Sequence, residues 1–504
     1  MEFYSIFNDV LGPIMYGPSS SHSAAPCRIG YICQSLLLSP LKKATVYFDP
    51  ESSYASTYKF HCSDRGFTAG LLGIRVDEEA NLSAFRIAKE RGVDISFVIE
   101  PQENKHPNYA RIKLLGESDE LDIGTLSTGG GMLELVSLDG FPIKVTGDRW
   151  FTFIKNPASL PVDECEYQML TKNNEQLLVI TRYQSQSPAL PDGEWTRECA
   201  PILPVQAFTS YKMPFTNYKE ALTYASSQGL SAGELGIRYE MARSGKSRDE
   251  VLSMMSHIMD VMHASVLDST HRRGGKVFDF YPYKATEMTK NSENLPDPLK
   301  AIGKISINAS AVFEHTLSVG LVVAAPTGGS CGILPSVVVE LGIDLGLPRS
   351  TIINGLFAAG VVGIFLVQGA TFGCEVAGCQ AENGSGSAMA ATGIVEMMGG
   401  TAASSFQAAA IALQNTLGLI CDPVACAYVP CVTRNAMAAT NAVSAATMIL
   451  SGYAAYIPLD ETIQVMMDVG RKMPACHRCT GGGLNLSPTG RLLNEASARY
   501  IQTL

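Results

Sequence analysis

The first 185 residues alternate short apolar runs with turns, a pattern typical of β-strands. A helix is expected at Ala84–Lys89, just before one of these runs. Together the pattern predicts an α+β domain over residues 1–185. Its predicted strands are Ala44–Phe48, Ile95–Glu100, Tyr109–Leu115, Ile143–Thr146 and Leu177–Thr181.

A polar, proline-containing segment, Gln184–Trp195, follows this pattern and suits a linker, which we place at residues 186–210. Strand signals fade beyond it. From about residue 300 the chain is rich in Ala, Gly and Ser and poor in charge, which suits closely packed helices. The sequence therefore predicts a mostly α-helical domain over residues 211–504.

Two segments of the second half carry the pattern of a helix start. Ser231 is followed by Glu234, and Ser247 by Glu250, each ahead of helical sequence. In such a capping box the serine and the glutamate three residues later bond each other's backbone N–H groups. We expect a helix to begin at each pair.

Long uncharged runs raise the alternative of a membrane protein such as a transporter. Thr351–Phe372 is long enough to span a bilayer, and Asn435–Leu459 is similarly uncharged. The mean hydropathy of +0.11 is low for that class, and Asn354 and Gln368 interrupt the first run. Because a helix buried in a soluble bundle has the same sequence character, we favour the buried helix.

Composition narrows the class of function. A chain of 504 residues predicts two or more domains, and the formal charge of −10 argues against a nucleic-acid binder. A small zwitterionic substrate stays possible, because local fields can oppose the net charge. The 13 cysteines, an odd number without a secretory start, predict a reducing, cytoplasmic setting with thiols that are buried or bound to metal.

The cysteines are densest between Gly373 and Cys431. Cysteine thiolates are the usual ligands of iron–sulfur clusters, and three of them leave one iron open to act as a Lewis acid. The spacing matches no generic ferredoxin pattern, so simple buried thiols remain an equal alternative. The cysteines of this stretch are Cys374, Cys379, Cys421, Cys426 and Cys431.

A separate C-x-x-C lies further on, at Cys476 and Cys479. It stands alone, without a second ligand pair at the usual distance, so it indicates a zinc site or a redox pair only weakly.

Several segments resemble the iron–sulfur L-serine dehydratases. Those similar to the cluster-binding α portion of that family are Ala325–Pro335, Gly378–Glu382, Cys421–Val424 and Pro430–Ala436. Those similar to its β portion are Gly17–Ser23, Tyr58–His61, His106–Asn108 and Gly129–Gly131. The resemblance covers nearly the whole chain, β portion before α portion, as in single-chain members.

This resemblance implies deamination of L-serine and a [4Fe–4S] cluster on Cys379, Cys421 and Cys431. The chain also departs from the family pattern. Its Cys421–Cys431 loop is one residue shorter and gains Cys426, and its last residues lack the cysteine that enters the active site in some members. We therefore expect no terminal cysteine to cap the open iron.

The same motifs suggest roles for other residues. His22 and His61 are the candidates for proton transfer at the substrate Cα, and the pattern does not say which is the base. The remaining candidates are expected to bind substrate through hydroxyl, backbone and cationic groups. They are Ser19, Ser20, Ser21, Thr327, Gly328, Arg434 and Asn435.

Other functions stay open at this level. The same chemistry suits L-threonine, L-cysteine or a D-amino acid, and a relative could keep the fold only to sense amino acids. A pyridoxal-phosphate deaminase is a further alternative, although no lysine lies in a segment that we can link to that cofactor. The expected partners are a small amino acid and a second copy of the chain, with no nucleic acid and no membrane.

Overall fold

The computed structural model forms two compact units, each described by itself below. The sheet unit contains the described residues of Ser19–Ser210, and the helical unit contains those of Met1–Pro18 and Tyr211–Leu504. The structure describes residues 3–161, 165–183, 189–208, 211–272, 276–277, 281–425, 427–479 and 481–501.

Short helices and many strands occupy the chain as far as Cys199. The helices are α1 (Ala25–Ser35), α2 (Ser53–Thr57), α3 (Ser63–Leu71) and α4 (Ala84–Arg91). The strands are β1 (Ile14–Tyr16), β2 (Leu41–Phe48), β3 (Asp94–Ile99), β4 (Tyr109–Gly116), β5 (Glu120–Gly129), β6 (Met132–Leu138), β7 (Phe141–Val145), β8 (Trp150–Lys155), β9 (Glu166–Lys172), β10 (Glu175–Arg182) and β11 (Trp195–Cys199).

The sheet unit is built on two sheets. The larger has the strand order β3-β2-β4-β5-β6-β7, parallel between β2 and β3 and otherwise antiparallel. The smaller has the order β11-β8-β10-β9. Helices α1 and α3 pack together beside the larger sheet, and Phe48, Tyr54 and Phe67 are fully buried in the shared core.

All five predicted strands and the helix at Ala84–Lys89 are confirmed, with ends that differ by a few residues. The α+β class of this part of the chain is therefore also confirmed. Strand β11 lies within residues 186–210, where the sequence predicts a linker, and pairs with β8. Part of that segment, residues 186–188 and 209–210, lies outside the described residues.

The rest of the chain is mostly helical, which confirms the predicted class. Its short strands are β12 (Lys276–Val277), β13 (Tyr281–Pro282) and β14 (Leu321–Val323). Its helices are α5 (Tyr218–Gln228), α6 (Ala232–Ser244), α7 (Arg248–His271), α8 (Ala285–Ser292), α9 (Asp297–Leu317), α10 (Leu341–Asp344), α11 (Arg349–Gly369), α12 (Cys374–Ala377), α13 (Ser385–Met397), α14 (Ala402–Gln414), α15 (Cys431–Leu450), α16 (Leu459–Lys472) and α17 (Pro488–Ile501).

The first residues of the chain belong to the helical unit. The buried carboxylate of Glu240 on α6 accepts hydrogen bonds from Ser5 Oγ at 2.6 Å and from the Ile6 N–H at 2.8 Å. Strand β1 then pairs with β14 in antiparallel register. These contacts bring the Gly17-Pro18 turn to the edge of the unit, where the Gly17 carbonyl accepts a bond from Thr316 Oγ1.

One predicted capping box is complete and the other is half formed. Ser247 and Glu250 bond each other's backbone N–H groups at the start of α7. Ser231 caps α6 and accepts from the Glu234 N–H. The carboxylate of Glu234 instead forms ion pairs with Arg238 and Arg248, which explains why it does not close the second box.

Helix α11 is the one described helix that is long and apolar enough to cross a membrane, but 78% of its most apolar window is buried inside the protein. Glycines on α11 allow the first residues of the chain to pack closely. A Cβ at Gly360 would lie 2.7 Å from Ile6, and one at Gly363 would lie 2.0 Å from Val10. This burial favours the interpretation of α11 as a core helix.

Candidate functional site

The three predicted cluster ligands lie in separate segments of the helical unit. Cys379 precedes a π-helical turn, Gln380–Gly384, that leads into α13. Cys421 lies in the loop after α14, and Cys431 is the first residue of α15. Cys379 and Cys421 are buried, and Cys431 is partly buried.

These thiols lie near one another. Burial and the neighbouring Cys379 thiol raise the pKa of Cys431 well above its ordinary value. Burial and Glu382 raise the pKa of Cys379 to about 11, and Arg434 opposes this rise. A buried thiol without a cation beside it therefore favours its protonated form, whereas metal ligation requires the thiolate.

The structure adds two cysteines that the motifs did not select. The Sγ atoms of Cys374, Cys421 and Cys479 all lie within 4.8 Å of one another. In sequence Cys374 was one thiol among several and Cys479 belonged to an isolated C-x-x-C, so no local signal joined them. Cys426, the extra cysteine of the loop, lies outside the described residues.

Arg434 and Asn435 follow Cys431 on α15 and are engaged within the protein. Arg434 donates to Asp422 Oδ1 at 2.6 Å and to the Ile420 carbonyl at 2.9 Å, so it fixes the loop around Cys421. Asn435 is fully buried. It accepts from the Gly332 N–H at 3.2 Å and donates to the Gly329 carbonyl at 2.9 Å.

Thr327 and Gly328 lie in the glycine-rich loop that Asn435 holds. Thr327 Oγ1 donates to Glu382 Oε1 at 2.9 Å and accepts from the Gly329 N–H at 3.2 Å. A Cβ at Gly329 would lie 2.8 Å from the Glu382 carboxylate, so glycine permits this approach. Burial, the largest cause, raises the pKa of Glu382 to about 7. The structure thus brings this loop to the cysteine segments.

His22 lies in the sheet unit, in a π-helical turn capped by Ser19. Its Nδ1 is 2.8 Å from Ser21 Oγ and its Nε2 is 2.8 Å from Ser53 Oγ. The ring of His61 is 5.1 Å away, centroid to centroid. Burial and then His61 lower the pKa of His22 well below its ordinary value, so His22 is neutral near pH 7.

The three predicted serines build this turn. Ser19 Oγ accepts from the His22 N–H at 3.2 Å and lies 3.3 Å from Ser21 Oγ, while Ser20 is buried. Ser23 donates to the His61 carbonyl at 2.5 Å, which ties the turn to the segment that carries the second histidine. Sequence reasoning missed Ser53, since no motif marks it.

The other two motifs of the sheet unit support the same region. The Pro107 carbonyl accepts from the Ser53 N–H at 2.8 Å, so the His106–Asn108 motif helps to position the serine that contacts His22. The Gly131 carbonyl accepts from the guanidinium of Arg28 on α1 at 2.7 Å. The first motif therefore helps to hold Ser53 beside His22, and the second bonds helix α1, which directly follows the histidine turn.

Several known proteins are similar in sequence to this chain. The sequence model of the family described as "Serine dehydratase alpha chain" matches residues 227–485. The chain is 38% identical to the probable L-serine dehydratase alpha chain of Bacillus subtilis over 292 residues, which cover 56% of this chain and 94% of that one. The chain belongs to the L-serine dehydratase family. Members of this family are carbon–nitrogen lyases.

Other members of the L-serine dehydratase family match different shares of the chain. The alpha chain of the Peptoniphilus asaccharolyticus L-serine dehydratase is 35% identical over 282 residues, which cover 55% of this chain and 96% of that one. L-serine dehydratase 1 of Escherichia coli is 28% identical over 482 residues, or 93% of this chain and 95% of that one. The similarity to a serine dehydratase therefore extends over most of the chain, beyond the residues that the alpha-chain family model matches.

Proposed function

We propose that this member of the serine dehydratase family deaminates L-serine to pyruvate and ammonia, with a [4Fe–4S] cluster held by Cys379, Cys421 and Cys431. The observation that carries the proposal is that the Cys379 thiol is near enough to the Cys421 and Cys431 thiols, which come from two other segments, to raise the pKa of both. Family membership supports the reaction, and the thiols support the cofactor.

The residues around the thiols fit an iron–sulfur cluster. Sulfur donors are its usual ligands, and Asn383 Nδ2 already lies 2.9 Å from Cys379 Sγ, as a donor to a cluster ligand would. The guanidinium of Arg434 offsets part of the rise that burial causes in the pKa of the Cys379 thiol, and so favours the thiolate. When bound, the cluster supplies a Lewis-acidic iron for the substrate hydroxyl, which is otherwise a poor leaving group.

The protein's own part in the reaction is to move a proton and to hold the substrate. His22 is neutral near pH 7 because burial lowers its pKa, so its imidazole is in the form that accepts a proton. We propose that His22 or His61 takes the Cα proton of serine. Loss of that proton and of the hydroxyl leaves aminoacrylate, whose imine tautomer takes up water to give pyruvate and ammonia.

Substrate binding is proposed for the polar turns. Ser19, Ser20 and Ser21 offer hydroxyl and backbone groups to the substrate carboxylate, as anion-binding turns do. Thr327 and Gly328 offer further donors from the loop beside the cysteines. For Arg434 we propose charge stabilisation near Cys379, because its guanidinium is already bound to Asp422. For Asn435 we propose that it positions this loop.

Anaerobic purification followed by visible and EPR spectroscopy tests the cofactor, with pyruvate release from L-serine assayed on the same sample. We expect the absorption of a four-iron cluster and pyruvate formation, both lost on exposure to air because one iron lacks a thiolate. L-Threonine, L-cysteine and D-serine tested in parallel define the substrate. A fully loaded protein that releases no pyruvate would contradict the proposed reaction.

Single substitutions test the assigned roles. Cys379→Ala, Cys421→Ala and Cys431→Ala should each lose cluster absorption, whereas Cys165→Ala, in the sheet unit, should keep it. His22→Asn and His61→Asn should keep the cluster. The variant that removes the base should lose kcat by about 100-fold or more and slow exchange of the serine Cα proton with solvent. If both keep full activity, neither histidine is the base.

The proposal extends to the setting of the enzyme. We propose a cytoplasmic homodimer that acts in amino-acid catabolism and gluconeogenesis, binds a small amino acid, and has no nucleic-acid or membrane partner. Light scattering during size-exclusion chromatography of detergent-free, anaerobically purified protein tests the assembly. A monomeric mass would contradict the dimer, and a requirement for detergent would contradict the membrane-free setting.

A further inference from the structure

Among the described residues of the helical unit, the three thiols that lie close together are not the predicted cluster set. Cys374, Cys421 and Cys479 have Sγ atoms within 4.8 Å of one another, and only Cys421 belongs to both groups. Cys421 is buried, while Cys374 and Cys479 are partly accessible. An ion can therefore reach the three sulfurs from one side.

Main-chain contacts hold the three segments together. The Cys421 N–H donates to the His477 carbonyl, and the Cys479 N–H donates to the Cys421 carbonyl, each at 2.8 Å. This short parallel bridge places Cys479 beside Cys421. The segment after Cys374 is joined to the same loop, because the Gln380 N–H donates to the Leu419 carbonyl at 3.1 Å. The spacing of the thiols is thus set by the backbone.

The distances suit one tetrahedral ion. Zinc binds thiolate sulfur at about 2.3 Å, so sulfurs that share a zinc ion lie about 3.8 Å apart. Three sulfurs within 4.8 Å reach that spacing by small side-chain rotations. In a four-iron cluster each thiolate binds a different iron, which holds the sulfurs farther apart. The group therefore fits a single ion better than three corners of a cluster.

An oxygen donor completes the set. The Cys374 thiol donates to Glu375 Oε2 at 3.5 Å and also interacts with the Glu382 carboxylate, which Thr327 Oγ1 orients by a bond of 2.9 Å. A carboxylate oxygen is an ordinary fourth ligand for zinc beside thiolates. Negative charges gathered this closely disfavour one another, so a divalent cation stabilises the charged form of these ligands.

We propose that Cys374, Cys421 and Cys479 form a binding site for one Zn²⁺ ion, with Glu382 at the fourth position. Because Cys421 is also a proposed cluster ligand, zinc and the [4Fe–4S] cluster exclude each other. The ion-binding part of this proposal does not depend on the proposed function. The mutual exclusion of zinc and the cluster does rest on the proposed function. The zinc form is a stable, cluster-free state of the enzyme.

A cobalt titration tests the site in the full chain, freed of metal by chelation under anaerobic conditions. Co²⁺ at thiolate ligands gives an intense near-ultraviolet charge-transfer band, and added Zn²⁺ should remove it. We expect one Co²⁺ per chain. Cys374→Ala and Cys479→Ala should each lose most of the band, with affinity at least about 100-fold weaker. Cys379→Ala and Cys431→Ala should keep it.

Cys476→Ala is the matched control, because Cys476 is exposed and shares the C-x-x-C with Cys479. It should keep the cobalt band. An unchanged band in Cys374→Ala, or a band lost in Cys476→Ala alone, would overturn the site.

Cluster loading is measured separately, by visible absorption after anaerobic reconstitution of the same variants. Cys374→Ala and Cys479→Ala should accept the cluster, and Cys421→Ala should lose both metals. The zinc-loaded wild-type protein should not bind the cluster until the zinc is chelated. Full loading with both zinc and the cluster would overturn the proposal that they exclude each other. Cluster loss in Cys374→Ala, with retention in Cys379→Ala, would overturn the ligand assignment of the proposed function while leaving the cobalt result intact.

Discussion

Substitution of Asn435 tests how much its buried hydrogen bonds beside the cysteines contribute to stability. The side chain is fully buried and joins α15 to the glycine-rich loop through the Gly332 N–H and the Gly329 carbonyl. Asn435→Ala removes the side chain that bonds both groups, and leaves the buried Gly332 N–H and the partly buried Gly329 carbonyl without it. Each such group costs about 1–3 kcal/mol, so we expect the variant to lose about 3 kcal/mol of stability. That corresponds to a change of about 100-fold in the unfolding equilibrium.

The two tryptophans make the assay specific to one part of the molecule. Trp150 and Trp195 both lie in the sheet unit, whereas most helices lie in the helical unit. Anaerobic urea unfolding followed by circular dichroism at the helix wavelength should therefore shift to a lower midpoint in Asn435→Ala. Tryptophan fluorescence on the same samples reports the sheet unit, and a shift confined to fluorescence would contradict our reasoning.

A matched control lies on the same helix. Thr447 is exposed on α15, and its hydroxyl donates only within the helix, to the Val443 carbonyl at 2.8 Å. Thr447→Ala should change stability by less than about 0.5 kcal/mol. If Asn435→Ala is equally neutral but raises KM, Asn435 acts by binding substrate and not by positioning the loop. That result would refute the positioning role.

Three further predictions concern other parts of the chain. Because the pKa of His22 is lowered, the unfolded chain takes up a proton near pH 6.5 that the folded chain resists, so stability falls as the pH drops below that value. His22→Gln should reduce this slope by up to about 1.4 kcal/mol per pH unit in urea titrations, and an unchanged slope would exclude His22 as its source. Gly66→Ala places a Cβ 2.4 Å from the Ser23 carbonyl and should destabilise the histidine turn by at least about 2 kcal/mol in the fluorescence transition. Gly303→Ala meets only a leucine methyl at 3.2 Å within α9 and should be neutral or stabilise by up to about 1 kcal/mol, and a clear loss there would show that the leucine has no room to move.

The sequence pattern alone identifies a strand where consecutive residues are all buried. The run Leu177–Ile180 of β10 is fully or almost fully buried, so its apolar sequence marks the strand without knowledge of its neighbours. Strand β11 has no such mark, because its Arg197 is charged yet buried. The guanidinium donates to Asp119 and to the Leu36 carbonyl, partners far away in sequence. A pattern read along the chain assigns such a residue to the surface.

Side-chain chemistry was predictable only where the motif is local. The turn that carries His22 was selected from consecutive residues, but its contact with Ser53 depends on the backbone of Pro107. Cys374 and Cys479 are 105 positions apart in the sequence, and their approach depends on a short backbone bridge at Cys421. Residue spacing alone cannot predict either contact.

Burial acts in opposite ways on the two groups of candidate residues. In the sheet unit it lowers the pKa of His22 and leaves a neutral imidazole, which is the form that accepts a proton. In the helical unit it raises the pKa of Cys431 and Cys379 and so favours the neutral thiols, whereas metal binding requires the thiolates. The histidine is therefore in its reactive form in the folded chain, whereas the thiols require an incoming cation to displace their protons. Because Cys421 is common to both proposed metal sites, the first cation to reach it determines which form of the protein results.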